Sequence, residues 1–241
     1  MTAPLLEVCV ADAASLDAAV AGGAERIELC SGLELGGLTP SAGLMRLAAI
    51  APVQVYALIR PRTGDFVYAG SDIDALLADI EAVRSAGLDG VVIGANRPDG
   101  TLDAPLLQRL REAAGPLGTT LHRAIDLVPD FAAATETAIE IGFERILTSG
   151  GGLSAIDGIS GIRTVHATAR GRVKVMAGSG LNPANVGHLL DAVPVEEVHS
   201  SCAANVPTKG ADAVRLGFAA PTRRQTDAAV VTAFRRTLSE R

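Results

Sequence analysis

Three five-residue stretches, GAERI at 23–27, GLDGV at 87–91 and GFERI at 142–146, are versions of one short phrase. Each follows an Ala-rich stretch of helical period and leads into a short aliphatic run. A glycine just past a helix supplies the left-handed C′ residue, and the chain then enters a strand. The phrase therefore marks helix-to-strand junctions of a repeated βα unit. Reading outward from it gives strands near 5–10, 26–30, 55–60, 90–94, 119–124, 145–149, 173–177 and 196–200. The intervening helices fall near 13–22, 41–51, 72–86, 103–114, 130–141, 154–169 and 183–192, with a closing helix at 226–238. Asp130 and Asn182-Pro183 read as helix N-terminal signals, as does Ser71 or Asp72. Eight alternating units in 241 residues predict an α/β fold, a (β/α)8 TIM barrel, as a single domain over 1–241. A doubly wound open sheet is the rival, but no GxGxxG follows the first strand.

Composition removes several function classes. The hydrophobic fraction of 48% against 20% charge fits a globular chain rather than a disordered one. A net charge of −6, no basic tract and 3% aromatics argue against nucleic-acid binding. No apolar run is long enough to span a bilayer, and MTAPLLEVCV lacks the basic region of a leader. Three cysteines without close spacing do not form a disulfide framework, which predicts a cytoplasmic protein with reduced thiols.

A barrel of this kind carries its chemistry at the C-terminal strand ends. Glu7 and Cys9 share one face of the first strand, and Glu28 and Cys30 one face of the second. The third contributes Arg60, Arg62 and Asp65, and the fifth His122, Arg123 and Asp126. Ser149 follows the sixth strand, Gly178-Ser179-Gly180 the seventh, and His199 with Cys202 the eighth. Two readings stand side by side. In one, Glu7, Glu28, His122 and Asp126 exchange protons on a small anionic substrate, phosphorylated or sugar-like. Arg60, Arg62, Arg123, Ser149, the 178–180 turn and His199 then hold that anion. In the other, Cys9 and Cys30 approach across neighbouring strands and bind a soft ion such as Cu(I). Structural alternatives remain open for each: layered ion pairs for the acids, apolar filling for the thiols, plain turns for the glycines.

The runs LEVCV, GGAERIELCSGLELGGLTPS, IRPRTGDFVY, LHRAID, ERILTSGG and VMAGSGLNP, in this order over about 5–201, closely resemble the CutC copper homeostasis family. The resemblance implies a (β/α)8 barrel that assembles as a homo-oligomer, dimer or tetramer, and a cytoplasmic role in copper homeostasis. It also implies Cu(I) as the bound ion, with Cys9 and Cys30 at the family's thiol positions. The chain departs from the family pattern at Leu127-Val128, where a cysteine often follows the HRAFD motif, and at HSSC, 199–202, in place of HASA. The segment 205–241 carries no motif of the family.

Overall fold

The computed structural model describes residues 3–241; Met1 and Thr2, the start of the segment read against a leader, lie outside it. Eight parallel strands close into a barrel in chain order. They are β1 (Leu5–Val10), β2 (Arg26–Leu29), β3 (Gln54–Leu58), β4 (Gly90–Ile93), β5 (Gly118–Leu121), β6 (Arg145–Thr148), β7 (Lys174–Ala177) and β8 (Glu197–Ser200). The helices between them are α1 (Ala13–Ala21), α2 (Ala42–Ala48), α3 (Ser71–Ala86), α4 (Ala104–Ala114), α5 (Phe131–Ile141), α6 (Ile159–Ala169) and α7 (Val186–Ala192).

The junction phrase works as its sequence predicts, with a further device. Gly23, Gly87 and Gly142 have φ of 89°, 78° and 87°, the left-handed region that glycine enters without a Cβ penalty. In the first two copies the acid two residues later then tethers the preceding strand, while Glu144 of the third accepts the Tyr56 hydroxyl instead. Glu25 accepts the Leu6 N–H at 2.9 Å and Asp89 accepts that of Val55 at 2.8 Å. Glu196 does the same for Val175 at 3.1 Å. Each of Glu25, Asp89 and Glu196 thus satisfies a backbone donor at the end where the strand emerges. Helix starts are fixed by side-chain caps: Asp12 accepts from Ser15, Asp103 from Leu106, and Asp130 from Ala132 and Ala133. Ahead of α3 the N-cap is Gly70 at φ 51°, and Ser71 is already the first helical residue.

Alternate strand residues face opposite ways. Leu6, Val8, Val10, Ile27 and Leu29 point outward into the apolar layer beneath the helices. The inward positions are different in kind: they carry Glu7, Cys9, Arg26, Glu28, His199 and the small apolar group of Cys30, Tyr56, Leu58 and Val92.

One part of the architecture is absent from the expected element order. After β8 the chain makes an antiparallel hairpin, β9 (Ala203–Pro207) and β10 (Thr222–Thr226), with a short helix α8 (Ala211–Arg215) between them. Only then does α9 (Ala228–Ser239) return to the barrel wall. Val231, Phe234 and Leu238 are fully buried there. Arg235 pairs with Glu25, and Arg241 reaches Asp191 of α7 at 2.7 Å. Helix α9 therefore closes the helical ring as its eighth member. No helix among the described residues is long and apolar enough to cross a membrane.

Candidate functional site

The floor of the barrel is ionic. Arg26, 1% exposed, bonds Glu7 on β1 and Glu197 on β8. Arg145, from the second copy of the ER phrase, stands 3.3 Å from Glu197 and donates to Thr120 Oγ1 at 3.3 Å. Both guanidiniums lie over the Tyr56 ring, Arg26 at 5.5 Å and Arg145 at 4.7 Å from its centroid. Gly90 and Gly118 make room for it: a Cβ at Gly118 would come to 2.0 Å from the Tyr56 hydroxyl.

Above this floor the register decides which groups meet. β1 pairs with β2 so that Glu7 is level with Arg26 and Cys9 with Glu28. β8 pairs with β1 so that His199 is level with Glu7. His199 Nδ1 is 2.8 Å from Glu7 Oε1, and its Nε2 is 3.7 Å from Glu28 Oε2. A sulfur from Cys9, a carboxylate oxygen from Glu28 and a ring nitrogen from His199 all lie within 4.8 Å of one another. Cys30 stands two residues beyond the level of Cys9 in the register and outside this group. Its Sγ donates to the Val10 carbonyl at 3.4 Å, and it is covered by Leu58 and Leu33.

Two buried carboxyls here are driven apart. Burial works to raise Glu7, but the Arg26 guanidinium and His199 overcome it and hold its carboxyl at about 2. Glu28 has no guanidinium in contact, and burial pushes it up to about 7 against the pull of His199. Burial opposes charge on His199, yet Cys9, Glu28 and Glu7 raise it well above the ordinary histidine range. Burial raises the Cys30 thiol, with Cys9 and Glu28 adding to the effect. It also lifts Cys202 to about 11.

The far wall is built by β3 and β5. Arg60 is 7% exposed; Nη1 donates to the carbonyls of Leu35 and Gly37, and Nη2 to that of Gly64 at 2.9 Å. His122 is 4% exposed, and its Nδ1 accepts the Ala124 N–H at 3.0 Å. Only glycine at 94 leaves space for this imidazole, since a Cβ there would meet the ring at 2.4 Å. Phe66 lies against both, 5.2 Å from the Arg60 guanidinium and 4.6 Å from the His122 ring. Burial, reinforced by Arg60, takes His122 down to about 3, so the ring is neutral. Between this wall and Cys9, Glu28 and His199 lies a cavity of about 1060 Å3.

The remaining sequence-derived residues take other places. Asp126 accepts from Thr148 Oγ1, from the Ser149 N–H and hydroxyl, and from Arg123 Nε at 2.7 Å. That shell ties the loop after β5 to the loop after β6, with Asp126 and Ser149 behind the cavity wall and Arg123 on it. Arg62 is bound to Asp65 and Asp72 away from the cavity. Ser179, at φ 82°, and Gly180, at φ 73°, line the mouth, whereas Gly178 packs beneath Leu147 and His199. Arg26 and Glu197 escaped the sequence reading, although continuing the period-two spacing back from Glu28 and His199 reaches both. Phe66, Arg223 and Arg224 were also missed; the last two overhang the mouth from β10.

Comparison with known proteins places these residues in a family. The CutC family model matches residues 4–204. The family protein CutC of Sinorhizobium medicae is 55% identical over 231 residues, 96% of this chain and 94% of the relative. That of Caulobacter vibrioides is 51% identical, covering 94% of each. Among solved structures, the Streptococcus agalactiae CutC, solved under the name of a copper homeostasis protein, superposes with a TM-score of 0.78. It shares 28% identity over 82% of this chain and 98% of its own. A Pyrococcus furiosus thiamine phosphate pyrophosphorylase, at 15% identity and a TM-score of 0.58, shares the barrel fold. With its closed eight-stranded barrel and a family match over most of its length, the chain belongs to the CutC family.

Proposed function

We propose that this protein is a cytoplasmic copper homeostasis protein that binds Cu(I) at the barrel mouth through Cys9 and His199, with Glu28 alongside. The observation that carries the reading is the convergence of the Cys9 sulfur, a His199 ring nitrogen and a Glu28 oxygen within 4.8 Å. A thiolate and an imidazole suit a soft ion of low coordination number, whereas structural zinc takes four ligands. Glu7 supports the assignment: by holding His199 Nδ1 it leaves Nε2 as the atom that can ligate once the ion displaces its proton, the arrangement in which a carboxylate orients a metal-binding histidine. All three thiols are free and buried, in keeping with a reducing compartment. The family resemblance favours Cys9 with Cys30; the geometry favours Cys9 with His199.

Anaerobic Cu(I) titration against a competing chromophoric chelator separates these sets. The parent is expected to bind one equivalent, and Cys9→Ser and His199→Ala to lose it while Cys30→Ser retains it. Equal loss in Cys9→Ser and Cys30→Ser with retention in His199→Ala assigns the thiol pair instead. Full binding by Cys9→Ser overturns the reading.

A further inference from the structure

Two buried donors on the cavity wall have nothing to donate to. Three of the five N–H groups of Arg60 are bound to the carbonyls of Leu35, Gly37 and Gly64, and its Nε is buried without a partner. No carboxylate lies within ion-pair distance of Arg60 among the described residues, although its side chain is more than nine-tenths buried. A buried, uncompensated guanidinium is costly unless an anion meets it.

His122 repeats the pattern. Because Nδ1 accepts from the Ala124 amide, the ring proton sits on Nε2, and Nε2 is buried without a partner. Two donors cannot satisfy one another, and both flank the Phe66 ring on the wall of the same cavity. Here a buried cation and a buried neutral donor both await an acceptor oxygen.

The charge of the cavity points the same way. In a chain of net charge −6, its lining carries Arg60, Arg123, Arg223 and Arg224 against Glu28 and Glu34; Arg123 and Arg223 pair with Asp126 and Asp12, and among the described residues Arg60 and Arg224 have no carboxylate partner. Clefts of one sign concentrate ligands of the other. At about 1060 Å3 the cavity is far larger than an inorganic ion needs and matches the pockets that enclose small organic molecules.

We infer that Arg60 and His122 form the binding site for an oxyanion group, carboxylate or phosphate, of a small organic molecule that fills the cavity. The site lies just past the C-terminal ends of β3 and β5, across the cavity from Cys9 and His199, and does not rest on the copper reading.

The test uses isothermal titration of the whole protein with inorganic phosphate and, separately, malonate, at constant ionic strength. Saturable binding by either supports the site, and which probe binds assigns the phosphate or the carboxylate class. His122→Asn keeps an acceptor for the Ala124 amide but removes the Nε2 donor, and is expected to bind the probe about ten-fold more weakly or worse. Arg172→Gln, at a surface pair with Glu136, serves as the unchanged control. In the parent labelled with 15N-histidine, the Nε2–H resonance of His122 is expected to shift with the same saturation curve, a readout that needs no variant to fold. Absence of saturable binding by both probes, or binding that leaves that resonance in place, overturns the inference. So does equal affinity in His122→Asn.

Discussion

One Glu7 carboxylate bonds His199 through Oε1 at 2.8 Å and Arg26 through Oε2, so a single buried acid joins the ionic floor to the mouth. Neutralising it leaves Arg26 and Arg145 to share Glu197 alone and takes from His199 the nearer of its two carboxylates. Glu7→Gln is expected to lower stability at pH 7 by about 3–5 kcal/mol, the usual cost of breaking a buried pair from one side. Urea unfolding measures this, and NMR titration of His199 should show its pKa falling toward the ordinary value in the variant.

Glu28 gives the opposite pH signature. Its folded carboxyl titrates at about 7 against 4.5 for the unfolded chain. Protonation therefore favours folding; the contribution is complete below 4.5 and is lost as pH rises through about 7. Stability of the parent relative to Glu28→Gln should fall across that window by up to about 3 kcal/mol. A flat difference between pH 4.5 and 7.5 in denaturant titrations is the contrary result.

The three atoms nearest an added Cβ at Gly118 all belong to Tyr56, whose hydroxyl would lie 2.0 Å away. Gly118→Ala should cost about 1–3 kcal/mol through overpacking. Adding Tyr56→Phe removes the nearest atom and should recover part of the loss. A double-mutant cycle reads the coupling directly; independent, additive effects would contradict this packing.

The β9–β10 hairpin should be separable from the barrel. Its strands pair with each other, and Arg223 reaches back only to Asp12 at 3.8 Å and Arg224 to Ser201 at 3.2 Å. Ala203 and Thr226 are register partners, so residues 205–224 can be replaced by an Asn-Gly turn. The shortened protein should unfold within a few degrees of the parent. Its Cys9 and Cys202 should react faster with a thiol reagent, since the hairpin overhangs the cavity they line.

The barrel was legible because its junction phrase names a left-handed glycine and a strand start together, and in two of its three copies an acid that tethers the previous strand. Observed strands begin within one residue of their expected positions. The hairpin was illegible for the converse reason. β10 reads TRRQT, without apolar alternation, because it overhangs a wet mouth rather than a core. At the site, period-two spacing correctly put Glu7 with Cys9 and Glu28 with Cys30 on inward faces. What spacing within a strand does not contain is the stagger between strands. That stagger makes Cys9 level with Glu28, and the closure of β8 onto β1 brings His199 beside both. Asp126 looked like a proton carrier by its chemistry, but five donors around it fasten two loops together.

Arg26 and Arg145 come from the same phrase on β2 and β6, four strands apart in an eight-stranded ring, yet both reach inward to the same Glu197 carboxylate and the same Tyr56 ring. The lower half of the molecule is therefore one ionic cluster shared by β1, β2, β6 and β8, while the upper half has two unlike walls, thiol and imidazole on one side and guanidinium and neutral imidazole on the other. A substitution in the floor therefore reaches four strands at once, whereas one at the mouth touches a single wall.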